Sequence, residues 1–500
     1  MFKIKKFIPE KPLLILIAIN IILYIPALFE PVSYGDECIY LVLGNAFKKG
    51  LVFYRDIHDN KPPLLYLTAA ISGNSLFWFR LISIITSLIH IDLVYSLIKK
   101  LTNNKYLPIL GGIILSALLL IFEGRVANGE IFMTAAATLA VYLLIVKPEK
   151  NNFFWGLTIG GVFSIGFLYK IPIAFDFVGI ILATFFLTVK SISKKSLLEI
   201  LKDKKFWGMI AGFSVPILLS IVYYTTKGAF TPYVRSALMQ NIGYLSSWQG
   251  GGSELLTRLK ILTILTTATF LARKTISKEI LFFFTWFTFS LFGALLSGRP
   301  YPHYLIEVSP SIAILAALLT NKLLKLKLAE KVKNPGDFIL PLVAIGLLIF
   351  SHNYYQFWRY PQLSYYQNFA KKLVGTITNE EYVSYWGDRA LENQKLARFV
   401  KETTLPNENI FVWGEASCTY ALSNRLPPGR YVVNYHISDF EGYEETLKAI
   451  ENKKPKLIIK MKEEEKHWPE LDLYIEKNYF PLVSDKLKDK IFLLNKANPL

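Results

Sequence analysis

Leu13-Leu14-Ile15-Leu16-Ile17-Ala18-Ile19-Asn20-Ile21-Ile22-Leu23-Tyr24-Ile25-Pro26-Ala27-Leu28-Phe29 is followed, after a short link, by Tyr34-Gly35-Asp36-Glu37. The first stretch is apolar almost throughout and close to the roughly 20 residues with which a helix crosses a bilayer. Lys3, Lys5, Lys6 and Lys11 precede it. It reads as an uncleaved anchor rather than a secretory signal, because no small-residue cleavage site of the A-x-A type follows. Ionisable residues at a membrane surface are expensive to keep unless they are paired or used. Asp36 and Glu37 are therefore the first place to look for chemistry.

The same apolar pattern recurs at 76–98, 107–122, 131–146, 153–169, 171–189, 206–224, 261–271, 280–296, 304–319 and 338–350. About eleven spans are expected on the length criterion. Composition agrees, since 52% of the 500 residues are hydrophobic and 15% aromatic, with a mean hydropathy of +0.34. That is too apolar for an ordinary soluble chain, and the expected class is a polytopic α-helical membrane protein.

The net charge of +18 does not point to nucleic acid. Lys and Arg fall in short clusters in the N-terminal tail and after the second, fourth, sixth, eighth and tenth spans, where they read as topology signals. This parity places the N-terminus in the cytoplasm of a multi-pass cell-membrane protein. It leaves Asp36, Glu37, Lys61, Glu130, Lys170, Arg299, His303 and everything after Trp358 on the outer side.

Two outer loops are long. Within 30–75, the stretches 46–51 and 64–71 read as short interfacial helices. The second loop, 225–259, carries Tyr233, Arg235, Tyr244 and Trp248 and a glycine run at Gly250-Gly251-Gly252, and suits a mobile cover. Residues 1–357 thus form the membrane domain. From 358 to 500 the chain turns charged and mixed, with strand-like runs at 410–413, 431–433, 457–459 and 491–494. These alternate with helical patterns at 391–403 and 443–452, which argues a small extracytoplasmic α/β domain. The run 462–466 reads as a solvated helix face. With only Cys38 and Cys418, no disulfide framework can be argued, though one bridge is possible.

Taken singly, each ionisable group has a structural reading. Asp36 or Glu37 is a solvated carboxylate, Lys61 and Arg299 snorkel at span ends, Glu130 caps a helix dipole, and His303 is structural. Asp92, Asp176 and Glu307, inside spans, pair with bundle partners. Taken together on one side they suit chemistry. A carboxylate beside an acceptor hydroxyl serves as general base. Lys61, fixed by Lys61-Pro62-Pro63, and the planar fork of Arg299 suit phosphate oxygens.

Four motifs stand in order: Tyr34-Gly35-Asp36-Glu37; Asp59-Asn60-Lys61-Pro62-Pro63-Leu64-Leu65-Tyr66; Arg125-Val126-Ala127-Asn128-Gly129-Glu130-Ile131-Phe132; and Gly298-Arg299-Pro300-Tyr301-Pro302-His303-Tyr304. Over roughly the first 320 residues this order resembles the polytopic GT-C glycosyltransferases. Within them it looks like the branch holding protein O-mannosyltransferases and the lipid A aminoarabinose transferases. The resemblance implies an inverting transferase that moves a sugar from a polyprenyl-phosphate carrier to a glycolipid, glycan or protein acceptor on the outer face. Asp36 would be its base, with Glu37 in a supporting place and Glu130 the second acid. Lys61, Arg299, Lys170, Tyr301 and His303 would meet the donor phosphate.

Asn60 stands where the aminoarabinose enzymes carry Glu. This weakens any inference to that sugar or to a metal, so a divalent cation is left open and no other cofactor is expected. No stretch is long enough for the β-trefoil insert of the protein O-mannosyltransferases. A polyprenyl tail dissolves only in lipid, which suits a bundle open to the bilayer, and there is no nucleotide-binding glycine motif. The alternative class is a flippase or transporter of lipid-linked saccharides. Against it, neither internal repeats nor midplane helix breaks are visible.

Overall fold

The computed structural model describes residues 10–147, 152–188, 202–240, 251–326, 334–482 and 487–495. Lys3, Lys5, Lys6, Tyr244, Trp248 and Gly250 lie outside these. The chain divides into two compact units: 1–25, 81–220 and 239–360 form the first, and 26–80, 221–238 and 361–500 the second.

Each of the apolar runs falls on a helix. Among the described residues, Lys11–Phe29, Leu76–Leu101, Gly129–Val146, Lys204–Thr226, Glu254–Thr275, Pro302–Lys325 and Gly336–Tyr354 are long and apolar enough to cross a membrane. Leu107–Ile121, Phe153–Tyr169 and Ile173–Thr188 are shorter apolar helices. The exposed faces of these helices are themselves apolar, with Ile15, Ile22, Leu219, Ile264, Leu271 and Phe350 all more than half exposed. Such surface suits lipid and not water.

The first unit is built around the helix Lys278–Ala294, in which every residue from Ile280 to Ala294 is buried. A helix apolar on all sides belongs at the centre of a bundle. Ile173–Thr188 packs on it so closely that a Cβ at Gly179 would meet Phe289 Cβ at 2.7 Å. Asp176 is buried here and its Oδ1 accepts from Trp286 Nε1 and Ser290 Oγ, each at 2.6 Å. It therefore pairs within the bundle, as expected. Phe153–Tyr169 and Lys204–Thr226 approach backbone to backbone. A Cβ at Gly160 would overlap Met209 O, and one at Gly208 would overlap Phe153 O. This is the small-residue packing that membrane helices favour, since lipid offers no hydrophobic drive for association.

In the second unit the acidic pair does not lie in a loop. It opens the helix Gly35–Lys48, whose last residues take in 46–48 of the expected 46–51 helix, while 49–51 is turn and irregular chain. Leu64–Ile71 is helical as read. The two helices touch because position 44 is glycine, where a Cβ would meet Ala70 N at 2.7 Å. The described part of 225–259 is largely helical, including Phe230–Tyr233 and the π-turn Val234–Met239.

The C-terminal residues form a four-stranded sheet of β1 Ile410–Trp413, β2 Leu457–Lys460, β3 Tyr479–Leu482 and β4 Lys490–Leu494. The order is β1-β2-β4-β3, with β1 parallel to β2 and the other pairs antiparallel. The parallel pair requires a crossover, supplied by Ser417–Ser423, Asn434–Asp439 and Tyr443–Lys453. Tyr431, Val432 and Val433 are buried but not a strand, because this stretch is part of that crossover. The unexpected strand β3 contains Pro481, which an edge position tolerates. The run 462–466 is turn and irregular chain rather than helix. Cys38 and Cys418 are joined in a disulfide that ties Gly35–Lys48 to Ser417–Ser423.

Candidate active site

In the second unit, Asp36 and Tyr40 are one helical turn apart and so share a face. The Tyr40 hydroxyl donates to Asp36 Oδ2 at 3.0 Å. Lys61 Nζ lies 3.5 Å from the same oxygen, 3.8 Å from Asp59 Oδ2 and 5.0 Å from the centroid of the Tyr40 ring. The Lys61 backbone is fixed on both sides. Its N–H donates to Tyr66 Oη at 2.9 Å and its carbonyl accepts from Tyr54 Oη at 2.8 Å. Tyr66 donates in turn to Asp59 Oδ2 at 2.9 Å. Burial, then the Asp59 carboxylate, pushes the Tyr66 phenol well up, so it stays a donor. The Lys61 and Asp36 side chains keep 18% and 33% of their surface, whereas Asp59 keeps 1%. A cation and a carboxylate are thus presented on a buried acidic support.

Glu37 points to a different set of partners. It is buried, and both its oxygens are taken by Arg80, with Nε to Oε1 at 2.8 Å and Nη2 to Oε2 at 2.6 Å. Arg80 Nη1 reaches Glu30 and the Ala27 carbonyl at 2.6 and 2.7 Å. Of the adjacent pair, one carboxylate is presented and the other is clasped.

In the first unit, Glu130 is in the opening turn of Gly129–Val146 and Lys170 directly follows Phe153–Tyr169. Phe132 stacks on Tyr169 at 4.6 Å, which brings the two ends together, and Lys170 Nζ is bonded to Glu130 Oε1. The Lys170 ammonium also lies 4.4 Å from the Tyr304 ring centroid. His303 Nδ1 donates to Glu123 Oε2 at 2.8 Å, and its Nε2 faces Glu130 Oε1 at 3.8 Å. Tyr301 stacks parallel to His303 with centroids 5.7 Å apart. Burial, then Glu123, pushes the Tyr360 phenol up. Glu130, Lys170, His303 and Tyr301 therefore form one cluster. Arg299 lies three residues before the turn Pro302–Val308, its N–H donating to Ser297 Oγ at 3.3 Å.

Sequence reasoning passed over Asp59, Tyr40 and Tyr66, which the motif spacing signals, and Glu123 and His436, for which no local signal exists. Among the described residues no group of three His, Cys, Asp or Glu side chains could hold a metal ion.

The family model described as dolichyl-phosphate-mannose-protein mannosyltransferase matches residues 61–224, a stretch that begins at Lys61 and takes in Glu130 and Lys170. ArnT from Cupriavidus metallidurans bound to undecaprenyl phosphate is 11% identical. The match covers 97% of this chain and 99% of that one, with a TM-score of 0.57. The apo state of the same protein gives 11%, 97%, 99% and 0.56. The fold is the GT-C fold. No curated protein matches by sequence. The GT-C resemblance expected from the four motifs therefore holds for the fold of the whole chain, at an identity too low to carry more than the fold. The family match begins at Lys61, and the helix Gly35–Lys48 lies just ahead of it in sequence.

Proposed function

We propose that this chain is a membrane glycosyltransferase that transfers a sugar from a polyprenyl-phosphate carrier to an acceptor with inversion. The reading rests on one observation above the others: within a GT-C fold, Lys61 is held against Asp36 on a buried Asp59–Tyr66 support. The undecaprenyl phosphate bound by the Cupriavidus ArnT structure supports a donor of that kind.

In the reaction, Asp36 removes the proton of an acceptor hydroxyl. The acceptor oxygen bonds to the anomeric carbon while the bond from that carbon to the phosphate oxygen breaks. The leaving polyprenyl phosphate keeps the electron pair. Lys61, Lys170 and Arg299, with Tyr301 and His303, are assigned to its negative charge, and Glu130 orients Lys170. Glu37 keeps the Asp36 helix in place.

We assign residues 1–357 to the membrane domain and 358–500 to the extracytoplasmic domain, with the chemistry on the outer face. The Cys38–Cys418 bridge supports this side, because disulfides persist in oxidising compartments and are rare in the cytosol. The deciding experiment is transfer by purified protein from polyprenyl-phosphate sugars, with wild type and Asp36→Asn compared. Loss of transfer in the variant is expected. Equal transfer by both proteins would remove Asp36 as base, and movement of lipid-linked saccharide across vesicles without transfer would favour the flippase reading.

A further inference from the structure

The C-terminal domain sends one side chain to the Lys61 support. His436, in the short helix Asn434–Asp439, is 2% exposed, and its Nε2 lies 3.7 Å from Asp59 Oδ1, the oxygen opposite the one that accepts from Tyr66. Behind it, His58 is fully buried with its ring edge-on to His436 at 4.9 Å and its Nδ1 3.2 Å from Ser236 Oγ. The His58 backbone N–H donates to the Arg430 carbonyl at 2.8 Å. Ser236, His58, His436, Asp59 and Lys61, from three separate parts of the chain, are thus successive neighbours, with a ring contact between the two imidazoles and a 3.7 Å polar contact from His436 to Asp59. The charged groups facing His436 are Asp36, Asp59 and Lys61 from the N-terminal part and Asp439 from its own helix. Burying a polar imidazole is costly unless a polar group answers it. A volume-filling role would be met more cheaply by an apolar side chain.

We infer that His436 is a positioning residue: it fixes the Asp59 carboxylate, and through it the Lys61 ammonium. This rests on the reading of Lys61 as a donor-phosphate group only for its functional meaning, since the positioning is measurable without a donor. Burial, opposed by Asp59, holds the imidazole below its usual range. His436 therefore acts as a neutral dipole near neutral pH.

The test is the acylation rate of Lys61 by an acetyl N-hydroxysuccinimide ester on the full chain in detergent, read by peptide mass spectrometry. Exposed Lys371 and Lys401 are the internal references. His436→Phe keeps the ring volume and removes the polar edge, and should raise Lys61 acylation by at least about twofold, the lower end of a typical contact coupling. His436→Gln, which keeps a polar group, should stay near wild type. A wild-type rate in His436→Phe, with the Cys38–Cys418 bridge formed, overturns the inference. If His436→Phe does not form the bridge, His436→Ala is read the same way. Binding of undecaprenyl phosphate is the second readout: His436→Phe should weaken it in wild type and add nothing on Lys61→Ala, whereas equal losses in both backgrounds overturn the coupling. If wild type does not bind undecaprenyl phosphate, the phosphate role of Lys61 falls while the acylation result still decides His436.

Discussion

Lys61 Nζ stands 3.5 Å from Asp36 Oδ2. The cation assigned to the donor phosphate and the carboxylate assigned to proton removal are each other's neighbours. Tyr40 donates to the same Asp36 oxygen, so a phosphate that draws Lys61 toward itself leaves that donor in place. Asp36→Asn should lower the rate of transfer by about 10²- to 10⁴-fold, the usual worth of a general base. Single-turnover kinetics check this, with the melting temperature held near wild type.

Glu37→Gln should behave in the opposite way. It removes one of the two carboxylates on Arg80 and two charge-assisted hydrogen bonds, leaving the Glu30 pair, so the cost stays below the roughly 3–5 kcal/mol of an orphaned buried charge. The expected outcome is low yield and a depressed melting temperature, with residual protein still active. A stable but inactive Glu37→Gln would move catalysis onto Glu37.

Lys170→Ala and Lys61→Ala remove cations held by carboxylates on separate units. Each should weaken use of the donor by about 10- to 100-fold in kcat/KM, in line with charged hydrogen bonds of roughly 1.5–3 kcal/mol. Arg299→Lys tests geometry as well as charge, because a planar fork is not replaced by a point charge. Donor titrations distinguish these variants from Asp36→Asn, which should change kcat.

The buried histidines of the second unit set an acid limit. Burial holds His58 well below its ordinary range, helped by His436, Arg430 and Arg235, and burial lowers His436 as well. The unfolded chain takes up these protons first, near the usual value of about 6.5. Stability is unaffected above that pH and falls as pH drops below it, by about 1.4 kcal/mol per pH unit for each histidine until its folded value is reached. Thermal melts between pH 7 and 5 should show this slope, and His58→Asn should reduce it.

The glycine contact between Phe153–Tyr169 and Lys204–Thr226 gives a paired control. Gly208→Leu, where a Cβ has no room, should destabilise by roughly 1–3 kcal/mol through overpacking. Gly161→Leu, beside Gly160 but with nothing within 4 Å of its Cβ, should leave the melting temperature in detergent unchanged.

The membrane helices were legible because their signal is local: a run such as 280–296 states its burial in its own composition. Asp36, Lys61, Glu130 and Lys170 were legible as motif positions, yet the pairing of Lys61 with Asp36 and that of Lys170 with Glu130 were not. Asp36 and Glu37 look equivalent in sequence, and only the distant Arg80 separates them. His303 carries two readings in sequence, structural and phosphate-facing, because its neighbours Glu123 and Glu130 lie up to 180 positions away. The missed strand β3 carries a proline that argues against strand everywhere but at an edge, and edge position is a property of the assembled sheet.

The bridge between Cys38 and Cys418 spans 380 residues. The helix bearing Asp36 can be locked to its partner only after every helix between residues 38 and 418 has been made. A chain stalled before residue 418 has no means of closing that lock.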